Sequence, residues 1–136
     1  MEQVVERLKE KFTKDYTSKF DIDLKFGEEA EYSLAHILSL GKIEVKTERD
    51  IWKTTGNIAI EIRYKGQPSG ISTTKSSVWI HLLSYKGVIE GGFIMKVDQL
   101  RGKIKKLQKS GNLKMVMGGD FNKSQMVLLP IKELFI

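Results

Sequence analysis

Residues 42–64 read KIEVKTERDIWKTTGNIAIEIRY, and both ends of this stretch alternate apolar and polar side chains with a period of two. That period predicts strands over about 42–48 and 57–65, because successive side chains on a strand point to opposite faces. In the first, Glu44 and Lys46 project to one side and Ile43 and Val45 to the other. In the second, Ile58, Ile60, Ile62 and Tyr64 share a face, and Asn57, Ala59, Glu61 and Arg63 take the opposite one. Thr54-Thr55-Gly56-Asn57 reads as a hairpin connection. If the two strands pair, Glu61 joins Glu44 and Lys46 on one polar sheet surface. A carboxylate can hold a divalent metal, and a neighbouring lysine can orient or deprotonate an attacking water. Glu-x-Lys also occurs on solvated strand faces with no such role, so the rest of the chain decides.

Upstream, residues 2–19 have Val4, Val5, Leu8 and Phe12 close to helical spacing, and residues 27–40 carry an apolar stripe of Ala30, Leu34, Ile37 and Leu38. Two amphipathic helices are predicted, with Glu28 and Glu31 on one face of the second. Downstream, strands are expected at 78–83, 88–95, 113–117 and 125–129. A helix capped by Asp98 is expected to reach Lys109. Residues 118–122 read as a turn. The order helix, strands, helix, strands predicts a single-domain α/β (α+β) fold, a central mixed sheet flanked by helices.

The chain has 136 residues, enough for one domain with one core. No apolar run approaches a membrane span and the N-terminus is charged, which predicts no membrane association and a cytoplasmic setting. The absence of cysteine excludes disulfides and thiolate zinc sites, and His36 and His81 are the only histidines. Gly91-Gly92 and Gly118-Gly119 lack the spacing of a nucleotide-binding loop. Net charge is +6, and the acid-free run of Arg101, Lys103, Lys105, Lys106, Lys109 and Lys114 accounts for all of it. A basic stripe suits a phosphate backbone, and a solvated helix face is the alternative.

The succession Phe26-Gly27-Glu28 with Glu31, Ile43-Glu44-Val45-Lys46, Thr55-Gly56-Asn57 with Glu61, and Pro68-Ser69-Gly70-Ile71 with Thr73-Thr74 and Trp79 resembles small phage-type proteins of the PD-(D/E)XK nuclease superfamily. Gly118-Gly119-Asp120 and Leu128-Leu129-Pro130 extend the likeness, which covers roughly residues 21–135. It implies a restriction-endonuclease-like core over 21–136, with 1–20 as an added N-terminal helix of the same domain. It also implies a metal site built from Glu31 (or Glu28), Glu44 and Glu61 with Mg²⁺ or Mn²⁺. In one assignment Glu44-Val45-Lys46 is itself the Glu-x-Lys element, completed by an acid from the helix or from Asp21 and Asp23. In the other, Glu44 replaces the first-strand aspartate and Glu61 is the second-strand acid. Arg63 then stands at the lysine position and Lys46 acts from the neighbouring strand; an arginine is no base at neutral pH. Ser76-Ser77 replaces the Ala-Asp of similar proteins, and Glu48 stands where they often have aspartate.

By this resemblance the chain is expected to be a metal-dependent DNA endonuclease, with the Holliday junction resolvases as nearest functional relatives. Arg101, Lys103, Lys105, Lys106 and Lys109, with Lys75, the 49–53 turn and the 70–74 loop bearing Thr73 and Thr74, would grip phosphates without reading bases. Cutting a four-way junction at two equivalent places calls for a homodimer, with Phe135 and Ile136, the Val4–Phe12 stripe or Trp52 as candidate contacts. The competing expectations are a nicking or restriction-type nuclease, a non-enzymatic DNA-binding module on the same fold, and a protein-interaction subunit.

Overall fold

The computed structural model describes Gln3 and residues 18–39 and 42–136. The chain divides into two compact units, Met1–Gly41 and Lys42–Ile136. In the first, α1 (Ser18–Ser39) is one helix of 22 residues. It runs unbroken across residue 20 and through 21–27, where the sequence suggested a break. The interior Gly27 costs a helix only about 1 kcal/mol, and its neighbours Lys25, Glu28, Glu29 and Ala30 are good helix formers. The helix expected at 2–19 lies, but for Gln3 and its last two residues, outside the described residues.

The second unit carries the sheets. Its elements are β1 (Ile43–Arg49), α2 (Ile51–Thr55), β2 (Asn57–Tyr64), β3 (Gln67–Pro68), a 3₁₀ turn (Gly70–Ser72), β4 (Val78–Tyr85) and β5 (Val88–Lys96). There follow α3 (Val97–Lys109), β6 (Lys114–Gly118), a 3₁₀ turn (Asp120–Asn122), β7 (Ser124–Pro130) and a last 3₁₀ turn (Ile131–Glu133). The class is α+β with a mixed sheet, as the sequence suggested. That sheet has the order β1-β4-β5, with β1 parallel to β4 and β4 antiparallel to β5. A second sheet, antiparallel throughout, has the order β3-β2-β7-β6.

The expected hairpin between β1 and β2 is therefore not formed. The connection is α2, not a tight turn: it ends at Gly56 in the left-handed conformation (φ 70), whose N–H donates to Trp52 O. The Trp52 indole N–H donates to Ser84 O at 2.6 Å, and Asp50 N–H reaches the same carbonyl at 3.0 Å. This helical turn anchors the chain to the end of β4 and delivers β2 to another sheet. Trp52 is thereby half-buried and engaged, rather than a free dimer contact.

The alternation of β2 sets the core. Ile58 lies opposite Leu129 and Ile60 opposite Val127, and all four are at most 1% exposed. Trp79, Phe93 and Met95 from the mixed sheet and Val97 and Leu100 from α3 complete one apolar cluster that both sheets share. Each fully buried aliphatic side chain there contributes about 1.5–3 kcal/mol. Helix α3 begins at Val97 with Lys96 at the N-cap, so Asp98 sits in the first turn rather than capping it. Among the described residues no helix is long and apolar enough to cross a membrane.

Candidate functional site

Glu44 and Lys46 lie two apart on β1 and form an ion pair, Lys46 Nζ to Glu44 Oε1, at 2.7 Å. Residues in register on parallel strands share a face, and here Glu44 is opposite Trp79 and Lys46 opposite His81. Trp79 and His81 are buried, so the pair projects to the core side of the mixed sheet. It stays half open to solvent because β1 is an edge strand. An exposed ion pair of this kind is worth about 0–1 kcal/mol, so the fold scarcely depends on it. Lys46 keeps donors to spare for an approaching anion, since an ammonium has three.

Glu61 is elsewhere. Ile58 and Ile60 point into the core, and Glu61, on the alternate face of β2, points away from it. Its two oxygens are each taken by a hydroxyl, Oε1 by Ser124 at 2.6 Å and Oε2 by Ser69 at 3.1 Å. Gly70 (φ 56) packs directly on the Glu61 backbone, where a Cβ would overlap the Glu61 carbonyl oxygen. The predicted convergence of Glu61 with Glu44 and Lys46 through paired strands is thus replaced by two separate settings. Glu28 and Glu31 lie on α1, in the other unit. Among the described residues no three His, Asp or Glu side chains gather as a metal-holding group.

Sequence reasoning missed the polar arrangement that does form. Glu48, on the same face of β1 as Glu44 and Lys46, accepts from His81 Nε2 at 2.9 Å and from Ala59 N–H at 3.1 Å, both through Oε2. The indole N–H of Trp79 donates to His81 Nδ1 at 3.2 Å. A tryptophan N–H can only donate, so Nδ1 accepts and the ring proton sits on Nε2, aimed at Glu48. His81 is 1% exposed and stacks on Phe93 with 5.5 Å between centroids. Glu48 therefore ties the edge of the mixed sheet to the backbone of β2. The parallel register that brings Glu48 near His81 is the missing signal, because the strands are far apart in sequence.

The basic residues fall into three groups. Arg101 donates from Nε to Ile71 O and from Nη2 to Thr74 O, both at 2.9 Å. It staples the 70–74 loop to α3 and is not a free phosphate contact. Arg101→Ala should lower the unfolding free energy by on the order of 2 kcal/mol by freeing two half-buried carbonyls. Urea denaturation reads this loss, and the salt dependence of DNA binding should be unchanged. The loop's own amides are also spent: Ser72 N–H bonds Ser69 O, and those of Thr73 and Thr74 bond Gly70 O. Thr74 Oγ1 accepts from Ser76 N–H, and Thr73 is exposed. In the 49–53 turn, Lys53 is paired with Glu90 at 2.7 Å and lies over the Tyr85 ring. Lys103 Nζ donates to Ile136 O at 3.0 Å. Lys75, Lys105, Lys106 and Lys109 are exposed, the last three on the solvent face of α3.

No protein-family model, no curated protein and no solved structure matches this chain.

Proposed function

We propose that the chain is a divalent-metal-dependent endonuclease acting on DNA, with the four-way junction as its substrate and a homodimer as the cutting form. The observation that carries this reading is the 2.7 Å Glu44–Lys46 pair, held half open on an edge strand where the fold does not need it. Lys46 would place its ammonium against a phosphate oxygen and offset the charge that grows on phosphorus in the transition state. Glu44 would hold the metal ion. Mg²⁺ is commonly bound by one or two carboxylates with water and substrate phosphate making up the rest, which one carboxylate fits once Glu44 shares its charge between Lys46 and the ion. When bound, the ion would polarise the phosphate and acidify a water. Glu61, with both oxygens hydrogen-bonded to serines, and the α1 acids are extensions of the resemblance rather than of this geometry. Two equivalent cuts across a junction fit a two-fold dimer. A cytoplasmic setting goes with the same reading.

The test is incubation of labelled four-way junction and linear duplex with Mg²⁺ or Mn²⁺, with metal-free controls. Cleavage that requires the ion and favours the junction is expected. Equal cutting of the linear duplex would assign the nicking or restriction-type alternative. A second reading, a DNA-binding protein without catalysis, is favoured by the absence of a three-residue metal group among the described residues. Salt-sensitive DNA binding with no hydrolysis by either ion would establish it over the first.

A further inference from the structure

Lys106, Lys114 and Lys132 come from α3, from β6 and from the 3₁₀ turn after β7, yet they line one groove of about 440 Å³ with Lys103, Asn112 and Glu133. The antiparallel pairing of Lys114 with Leu128 sets this up, because Pro130 ends β7 and the following turn brings Lys132 back beside α3. Among the described residues, Lys106, Lys114 and Lys132 have no hydrogen bond or ion pair from their side chains, and Glu133 forms no ion pair with them. Of the four lysines along this groove, Lys103 is held by Ile136 O, which leaves three without a bonded partner beside Glu133. Like charges gathered this way repel, and nothing in the apolar core requires the gathering.

We propose that this groove binds the phosphodiester backbone of a nucleic-acid strand. The lysines are separate point charges spread along an open groove, with no arginine fork to clasp one anion. That is a track for successive phosphates rather than a cup for a single phosphate. The track continues along α3 through the exposed Lys105 and Lys109. On its other side a cavity of about 560 Å³ shares Lys103 and Lys106 and is bordered by Phe135. The Phe135 ring is 72% exposed and braced edge-on against Phe93 at 6.4 Å. A solvent-facing aromatic beside a phosphate track offers a stacking surface to an unpaired base. The inference rests on the proposed function only in taking DNA as the polymer.

The test is fluorescence anisotropy with a labelled single-stranded DNA oligonucleotide in EDTA, where cleavage does not enter. Lys106→Glu/Lys114→Glu/Lys132→Glu is compared with Lys65→Glu/Lys86→Glu/Lys96→Glu, which changes net charge equally on other surfaces. The groove variant should lose more than about tenfold in affinity, and its log–log salt slope should fall by about 2, three contacts at ~0.7 each. Equal losses in the two variants overturn the proposal. If thermal denaturation shows the triple variant unfolded, the three single Lys→Ala variants are read instead, and unchanged affinity in all of them overturns it. Inorganic pyrophosphate should compete only weakly; tight pyrophosphate binding without oligonucleotide binding overturns the polymer. Wild-type protein that binds the strand but never cuts DNA with Mg²⁺ or Mn²⁺ upholds the groove and sinks the nuclease reading. Full affinity in a groove variant of a cutting enzyme does the reverse.

Discussion

Glu44→Ala and Lys46→Ala should each lower metal-dependent DNA cleavage by about 10²-fold or more, while leaving the fold and DNA binding nearly intact. The size follows from what each group would do. Loss of one preorganised charge at a phosphoryl centre costs about 10²–10³ in rate, and loss of a carboxylate that holds the ion removes the reactive water as well. The stability side is equally specific. The pair is half exposed, and such pairs contribute about 0–1 kcal/mol, so urea midpoints should barely move. Glu44→Gln separates the roles further: it keeps a hydrogen-bond acceptor for Lys46 but not the charge that holds a cation. It should resemble Glu44→Ala in rate and wild type in stability. Single-turnover cleavage with saturating enzyme reads the chemical step. Full activity in one alanine variant removes that residue from the mechanism, and full activity in both sinks the assignment.

Trp79→Ala should be the most damaging single substitution to stability, at about 3–5 kcal/mol. Trp79 is the largest fully buried side chain, 1% exposed, in the cluster shared by both sheets. Its removal opens a cavity and takes the indole donor from His81 Nδ1, so the next link, His81 to Glu48, loses its alignment. Domains are stable by only about 5–15 kcal/mol, so the variant should melt more than about 10 °C lower. Trp79→Phe keeps most of the packing and loses only the N–H, and should cost about 1–3 kcal/mol. Thermal denaturation by circular dichroism orders the series. A Trp79→Ala variant as stable as wild type would contradict the placement of this ring in the core.

Much of this architecture is legible residue by residue. The alternation of Ile58, Ile60 and Ile62 marks β2 and its inner face, because a half-buried strand must repeat every two residues. The acid-free basic run from Arg101 to Lys114 marks a charged element correctly. What it bonds to is another matter. Arg101 is consumed by two backbone carbonyls of a loop far upstream, whereas Lys132, outside the run, reaches the same groove as Lys106 and Lys114. The pairing of strands is less legible still. Thr54-Thr55-Gly56-Asn57 has turn residues, but turn chemistry alone does not distinguish a hairpin from a helical turn capped by a left-handed glycine. The helical turn puts Glu61 on another sheet, and the Glu48–His81 contact follows from the β1–β4 pairing, since both depend on which strand β1 adopts as neighbour.

That choice of neighbour also has a kinetic side. β4 and β5 are joined by a short turn and can zip locally, as can β6 and β7. β1 has only β4 beside it in the ladder, and Ile43 must wait for Val78 to be made and placed. Loop closure over such a separation is costly, so β1 should dock late in folding and open early in native-state fluctuations. Its outward amides, on the open edge of the β1-β4-β5 sheet, should exchange with solvent sooner than those of the enclosed β4, which native-state hydrogen exchange would read. Glu48, bonded to both His81 and the Ala59 amide, should then act as the latch that limits how often the strand bearing Glu44 and Lys46 lifts away.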